Sequence, residues 1–170
     1  MRRRGRLELI LQRLYSALAT WPTPRQWLMV AVEAAWLAPV LIACGLIGEF
    51  VGVSPVLEGG ALLRLAVIAL FVPALSEELF FRALLLKPNA SLWRSALAVA
   101  AFVAWHPLQA TFFGVDWAAV VLNPVFLIAV AALGVALTRV YLATRSIWPP
   151  VALHWIVVLM WKLAGGPSPW

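Results

Sequence analysis

The sequence predicts an all-α protein: a polytopic membrane helix bundle of about five transmembrane helices, preceded by an amphipathic interfacial helix. Hydrophobic residues make up 64% of the chain and charged residues only 12%, and the mean hydropathy is +0.95. The apolar residues also fall into five segments, each near the ~20 residues that an α-helix needs to cross a bilayer. We therefore expect an integral membrane protein.

Residues 1–24 form a basic N-terminal segment with the pattern of an amphipathic helix. Apolar residues recur at i, i+3, i+4, i+7 and i+11, which places them on one face of a helix. They are Leu7, Ile10, Leu11, Leu14 and Leu18. The arginines of this segment are Arg2, Arg3, Arg4, Arg6 and Arg13. Because this charge lies at one end of a lipid-soluble chain, the predicted partner is anionic membrane lipid, and nucleic acid is not expected.

Residues 25–170 are predicted to form a single transmembrane bundle. The expected spans are roughly Gln26–Ile47, Gly60–Leu86, Leu92–Phe112, Val120–Thr138 and Ile147–Leu163. Turn-rich or charged connections separate them.

The distribution of Lys and Arg predicts the orientation of the bundle. The connections at Lys87–Arg94 and Arg139–Arg145 are basic, like the N-terminal segment, whereas the other connections carry acidic residues. The positive-inside rule therefore predicts a cytoplasmic N-terminus and a C-terminus outside. Lys162 lies near the outer end, where we expect its side chain to snorkel to the interface.

Ionisable side chains inside the spans mark a candidate site. Glu77, His106 and His154 lie on three different spans, at depths of about 15, 20 and 10 Å from the cytoplasmic ends for a rise of 1.5 Å per residue. Placing a charged side chain near the middle of a membrane costs about 2.5–3.5 kcal/mol, so such a residue is rarely kept only to fill space. A functional role is therefore favoured. Glu78 and Arg82 have the i, i+4 spacing of an ion pair, which would leave Glu77 for chemistry.

Other intramembrane charges have a structural interpretation. Glu33 and Arg64 are isolated in the first two spans, and we expect them to pair with each other. A transporter is disfavoured because the polar positions cluster at one site and no inverted repeat is visible.

Three motifs in order carry a family resemblance. "EELFFR" begins at Glu77 and reads EExxxR, "FVAWH" ends at His106 and reads FxxxH, and "SIWPPVALH" ends at His154. Together they resemble the CPBP family of intramembrane proteases, which includes CAAX prenyl endopeptidases of the glutamate type and Abi-like bacteriocin-processing and immunity proteins. The resemblance covers about residues 65–160.

The resemblance implies an endopeptidase that hydrolyses a peptide bond with a Glu-activated water. It assigns Glu77 as the general base, His106 as the residue that holds the water or shares its proton, and His154 as an oxyanion donor. Phe102 would pack beside His106 and limit its rotamers.

One position departs from the family pattern. Glu78 and Arg82 match the supporting pair, but Val158 stands four positions after the third-motif histidine, where the family usually has Asn or another polar residue. Either another donor substitutes, with the indole N–H of Trp155 or Trp161 as candidates, or the protein is catalytically impaired. In the second case it would act as a membrane binding or immunity partner.

The resemblance implies no cofactor. Zinc stays open as an alternative, with Glu77, His106 and His154 as ligands. Against it, the chain has no HExxH motif, and Arg82 already neutralises carboxylate charge that a metal would require. The implied substrate is a lipidated peptide or a leader peptide near the membrane. Short loops and the lack of a eukaryotic targeting signal favour a bacterial cytoplasmic membrane.

Overall fold

The computed structural model describes residues 5–52, 59–87, 89–112 and 115–166, and every regular element in these ranges is a helix. The predicted all-α fold is therefore confirmed. In chain order the helices are α1 (Arg6–Ala19), α2 (Pro24–Ile47), α3 (Gly59–Leu84), α4 (Leu92–Gln109), α5 (Val115–Val121), α6 (Pro124–Thr144) and α7 (Trp148–Leu163).

Three helices of the described ranges, α2, α3 and α6, are long and apolar enough to cross a membrane. The apolar helix α7 has 16 residues, and α4 has 18 residues and includes polar side chains near both ends. Helix α7 is shorter than a typical span, and α4 has the length of a short span but is not apolar enough over that length. With its apolar composition, the chain is an integral membrane protein.

The fourth predicted span, Val120–Thr138, has the wrong boundaries. Helix α5 ends at Val121, and α6 begins at Pro124 and continues to Thr144. Asn123 caps the new helix, because its Oδ1 accepts a 2.9 Å hydrogen bond from the backbone N–H of Val125. An Asn at the cap followed by Pro at the first helical position starts a helix, and this local signal overrides the apolar run.

Helix α6 lies at the centre of the bundle and packs against α2, α4 and α7. Its buried residues include Leu133 and Leu137, which join the main apolar core. At Gly134 a Cβ atom would lie 3.1 Å from Phe102 Cδ1 and 3.3 Å from Val99 Cγ1. Glycine therefore allows the close approach of α4 to α6 beside the candidate site.

Helix α1 docks against the end of the bundle. Ala17 is buried, and Ile10 and Leu14 on the same side are half-buried. The carbonyl of Ala17 accepts a hydrogen bond from the N–H of Ile147 at the start of α7. Part of the predicted apolar face is therefore covered by the protein, whereas Leu7, Leu11 and Leu18 on that face stay exposed.

The expected pair between Glu33 and Arg64 is wrong. Glu33 is buried and accepts hydrogen bonds from Arg139 Nε at 2.8 Å and from Trp36 Nε1 at 2.6 Å. Arg64 is exposed on α3. The partner of Glu33 lies on α6 because α2 packs along that helix, so the pair joins α2 to α6.

Candidate active site

The two adjacent carboxylates lie between two widened turns of α3. The backbone is π-helical over Leu70–Leu75 and again over Leu79–Leu84, with hydrogen bonds from residue i to i+5. Regular α-helix remains between these turns at Ser76–Glu78. Pro73 in the first wide turn has no N–H to donate. Widened turns are frequent at functional sites because they change the direction of neighbouring side chains.

Glu78 and Arg82 form a fully buried ion pair, as the i, i+4 spacing predicts. Arg82 Nε lies 3.2 Å from Glu78 Oε2, and Arg82 Nη2 donates to the carbonyl of Gly134 at 3.2 Å. The guanidinium also lies 4.4 Å from the ring centroid of Phe102. The pair therefore links α3 to α4 and α6, and it lies behind the wall of the site.

His154 connects the ion pair to Glu77. Its Nδ1 lies 3.0 Å from Glu78 Oε1, and its Nε2 lies 4.0 Å from Glu77 Oε2. An ionised carboxylate has no hydrogen to donate, so Nδ1 carries the hydrogen of the shorter contact. The Nε2 atom is consequently the nitrogen that is directed to Glu77.

The two oxygens of the Glu77 carboxylate have different surroundings. Oε1 accepts from Trp105 Nε1 at 2.9 Å and lies 3.5 Å from Gln109 Nε2. The Gln109 amide is itself held by Trp117 Nε1, which donates to Gln109 Oε1 at 3.0 Å. Oε2 is buried, and no hydrogen-bond partner for it lies among the residues that the structure describes. A buried acceptor of this kind indicates a place for a ligand or a water.

His106 hydrogen-bonds within its own helix. Its Nδ1 lies 2.9 Å from the carbonyl oxygen of Phe102, which can only accept, so Nδ1 donates. The other nitrogen, Nε2, is left for a ligand. The Phe102 ring contacts both histidines edge to face, with centroids 5.0 Å from His106 and 5.8 Å from His154. Phe102 thus packs against two of the predicted site residues.

Glu77, His106 and His154 line one cavity of about 540 Å³. Most of its remaining wall is apolar and comes from α2, α6 and α7, including Leu41, Leu133 and Val157. An apolar cavity with a few convergent polar groups has the character of a site for an apolar ligand.

The position that departs from the family pattern also lines this cavity. Val158 lies one turn after His154 on α7 and is buried. Neither of the two indoles considered as replacement donors is available for that role. Trp155 Nε1 donates to the carbonyl of Ala66 and Trp161 Nε1 to that of Phe50, both at 2.8 Å.

Lys162 does not snorkel to a membrane interface, so that prediction is wrong. Its side chain lines the same cavity and is only 5% exposed. The ammonium lies over the rings of Trp161 and Trp117. The reason is tertiary packing: the faces of these two rings attract the ammonium and keep it inside the protein. A sequence pattern does not show that the rings come together at this place.

The zinc alternative names Glu77, His106 and His154 as ligands. No three side chains of His, Cys, Asp or Glu in the described ranges come together as metal ligands. The carboxylate of Glu78 is already in contact with Arg82 and His154.

Two residues that contact Glu77 were not identified from the sequence: Trp105 and Gln109. Both are on α4, immediately before and three positions after His106. Their proximity to a motif histidine in a hydrophobic span was an available signal. What the sequence does not give is the rotation of α4 that directs both side chains at α3.

Comparisons with known proteins agree with the motifs. No curated protein and no solved structure matches the chain. A family model described as Type II CAAX prenyl endopeptidase Rce1-like matches residues 59–160, which is more than half of the chain. This range contains the three motifs and all the site residues from Glu77 to Val158. The chain therefore belongs to the Rce1-like family of type II CAAX prenyl endopeptidases.

Proposed function

We propose that the protein is a glutamate-type intramembrane endopeptidase that hydrolyses a peptide bond of a membrane-associated substrate. The observation that carries the proposal is the Glu77 carboxylate. One of its oxygens is fixed by Trp105, and the other is buried beside His154 with no hydrogen-bond partner in the described part of the chain. The first contact orients the carboxylate, and the second oxygen is left to act as a base.

The 4.0 Å gap between Glu77 Oε2 and His154 Nε2 suits a bridging water. It is too long for a good direct hydrogen bond, and a water between the two atoms can contact both. Glu77 takes a proton from this water as the water oxygen bonds to the peptide carbonyl carbon. The carbonyl oxygen becomes an oxyanion. When the oxyanion collapses, the C–N bond breaks, and the amine leaves with the proton that Glu77 had taken.

The histidines would position the water and stabilise the oxyanion. When His154 also carries a proton on Nε2, that atom can donate to the oxyanion. His106 also lines the cavity, and its Nε2 would supply a second polar contact for water or substrate. Both rings pack on Phe102, which restricts their movement.

Glu78 and Arg82 would act as positioning residues. Glu78 fixes the tautomer and the orientation of His154 through the 3.0 Å contact with Nδ1. Arg82 balances the charge of Glu78 and ties it to α6 through the Gly134 carbonyl.

We favour a metal-free mechanism over a zinc mechanism because Glu78, the second carboxylate, is committed to Arg82 and His154. The alternative has Glu77, His106 and His154 as zinc ligands. Treatment with a chelator separates the two. Cleavage should persist under the metal-free proposal, whereas loss on chelation and recovery with Zn²⁺ would establish a metalloprotease.

A second candidate function rests on Val158. A valine at this position of the cavity wall cannot donate to an oxyanion, and loss of one donor typically costs about 100- to 1000-fold in rate. The protein would then be an impaired family member that binds a membrane partner, as in bacteriocin immunity. Such a partner should tolerate Glu77→Gln without loss of binding.

We also propose the setting of the reaction. The basic N-terminal segment and the two basic connections favour an orientation with the N-terminus inside and the C-terminus outside, and the short connections favour a bacterial cytoplasmic membrane. The substrate would be a lipidated peptide or a leader peptide held at the membrane.

Cleavage of a peptide library by detergent-purified protein tests the proposal. The library contains prenylated and unmodified apolar peptides, and the variants are Glu77→Gln and, as a matched control, Glu8→Gln on the exposed side of α1. Wild type and Glu8→Gln should cleave, and Glu77→Gln should be folded and inactive. Cleavage by Glu77→Gln at the wild-type rate would overturn the assignment of the base.

A further inference from the structure

The last residue of α4, Gln109, carries a buried amide in the wall of the candidate active site. Its side chain lines the cavity together with Glu77 and His154. Its Nε2 atom lies 3.5 Å from Glu77 Oε1. Burying an amide in a mostly apolar wall is costly unless its polar atoms find partners. The partners of this amide therefore indicate what it does in the site.

The neighbours of the amide fix which of its ends faces Glu77. The indole N–H of Trp117 can only donate, so the atom 3.0 Å from it is the oxygen of Gln109. An ionised carboxylate can only accept, so the atom nearest to Glu77 is the nitrogen. Trp117 is itself buried and packs against Trp161, with ring centroids 5.9 Å apart. Packing therefore holds the N–H groups of Gln109 on the side of the carboxylate.

The protein does not use both N–H groups of Gln109. The 3.5 Å separation from Glu77 Oε1 is longer than a good N–H···O hydrogen bond, and Trp105 already donates to that oxygen at 2.9 Å. No other acceptor contacts Gln109 Nε2 within the described ranges. Because a primary amide has two N–H groups, at least one of them is available to a bound molecule.

We propose that Gln109 Nε2 donates a hydrogen bond to the oxyanion that forms during peptide hydrolysis. This inference rests on the proposed function, because it takes the water beside Glu77 as the nucleophile. Glu77 lies between two nitrogens from different helices: His154 Nε2 is 4.0 Å from its Oε2, and Gln109 Nε2 is 3.5 Å from its Oε1. A carbonyl group attacked by this water can place its oxygen within reach of the Gln109 amide, and side-chain amides are effective oxyanion donors.

A donor on α4 supplies what the facing part of α7 lacks. Val158 lines the cavity one turn after His154 and has no polar hydrogen. The indoles of Trp155 and Trp161 donate to backbone carbonyls. Among the described side chains that line the cavity, Gln109 combines a position beside Glu77 with an N–H group that the protein leaves unused.

The variant Gln109→Met tests the proposal by kinetics, because it keeps the length of the side chain and removes both N–H groups. On library peptides that wild type cleaves, kcat should fall about 100- to 1000-fold with little change in KM. Gln26→Met is the matched control. Gln26 bonds the N–H of Thr23 and the carbonyl of Thr144, away from the cavity, so its loss should leave kcat unchanged. An unchanged kcat in Gln109→Met would overturn the proposal.

Binding of two inert peptides separates a donor from a merely structural residue. Both have the sequence of the tightest-binding library peptide. One carries a phosphinic group at the scissile amide, a tetrahedral anion like the intermediate, and the other carries a reduced amide, which has no oxygen there. Gln109→Met should weaken binding of the phosphinic peptide about 10- to 100-fold and leave the reduced amide unchanged. Equal weakening of both would assign Gln109 to the architecture of the site, and the proposal would be wrong.

A measurement on wild type covers the case in which Gln109→Met does not fold. The glutamines of the chain are Gln12, Gln26 and Gln109, and of these Gln109 lines the cavity. After selective ¹⁵N labelling of glutamine, the phosphinic peptide should move one side-chain amide proton downfield, as expected for a hydrogen bond to an anion. The reduced amide should not produce this shift. If neither peptide moves a glutamine amide downfield, Gln109 donates to no oxyanion.

Cleavage of the peptide library separates this inference from the proposed function. If wild type cleaves, Glu77→Gln does not, and Gln109→Met cleaves at the wild-type rate, hydrolysis stands and the role of Gln109 fails. If wild type cleaves no peptide but binds the phosphinic peptide through Gln109, the anion site stands and the hydrolytic function fails.

Discussion

Trp105 Nε1 donates a 2.9 Å hydrogen bond to Glu77 Oε1, and this contact joins the helix of the FxxxH motif to the helix of the EExxxR motif. It determines which carboxylate oxygen is occupied by the protein and which one faces His154. Because Glu77 is only 12% exposed, water does not readily replace the indole. The orientation of the proposed base therefore depends on a tryptophan outside the motif positions.

Replacing Trp105 by Phe should lower kcat and leave the fold intact. Phenylalanine keeps most of the aromatic packing but removes the N–H donor. Hydrogen bonds to charged groups contribute about 1.5–3 kcal/mol, which corresponds to roughly a 10- to 100-fold lower rate. Steady-state kinetics and thermal unfolding in detergent provide the two measurements. Trp93→Phe, at an exposed position of α4, is the control, and an unchanged kcat in Trp105→Phe would contradict the role.

Removing Arg82 alone should destabilise the protein strongly. Arg82→Met leaves the buried Glu78 carboxylate without its guanidinium, and breaking a buried ion pair costs about 3–5 kcal/mol. The double variant Glu78→Gln/Arg82→Met removes both charges and should recover part of the loss. The measurement is the thermal unfolding midpoint of purified protein in one detergent.

The exposed Arg64 on α3 gives the matched control for this experiment. Arg64→Met should shift the midpoint little, since exposed charges contribute little to stability. If Arg82→Met unfolded at the same temperature as Arg64→Met, the ion pair would have no structural importance. If the double variant were less stable than Arg82→Met, the charge-compensation argument would be wrong.

Val158→Asn should raise activity. The side chain lines the cavity one turn after His154, where an amide N–H can reach an oxyanion near that residue. A restored donor is worth up to about 100- to 1000-fold in kcat, with little effect on KM. Val158→Ala removes the same methyl groups without adding a donor and serves as the control. Equal rates in the two variants would show that a missing donor does not limit the reaction.

The local parts of this site could be predicted from the sequence, and the long-range parts could not. The Glu78–Arg82 pair follows from i, i+4 spacing, because both residues belong to one helix and the helix fixes their separation. The partner of Glu33 is different. Arg139 lies on another helix, and the pairing depends on the rotation of α2 against α6, which no local pattern records.

The wrong boundaries of the fourth span come from a local signal that was missed, whereas the wrong expectation for Lys162 comes from a long-range contact. The apolar run through Val120–Thr138 reads as one helix by hydropathy, yet the Asn123–Pro124 start signal divides it. That signal is local and was available. The burial of Lys162 required Trp117 and Trp161 to meet on one side of the cavity, which is a property of the tertiary structure.

Arg13 should stabilise the end of the helix that carries the proposed base. Its Nη2 lies within hydrogen-bond distance of three carbonyl oxygens at the C-terminal end of α3: those of Ala83, Leu84 and Leu86, at 3.3, 2.9 and 3.1 Å. The last carbonyls of a helix have no partner within it, and a cation there also offsets the helix dipole. Arg13→Gln should therefore cost about 1–3 kcal/mol of stability and speed hydrogen exchange at residues 79–87. Arg25→Gln, exposed at the start of α2, removes an arginine from the same region without touching α3. If both variants exchanged at the same rate in 79–87, α1 would not hold the catalytic helix, and its docking would serve only to anchor the chain at the membrane surface.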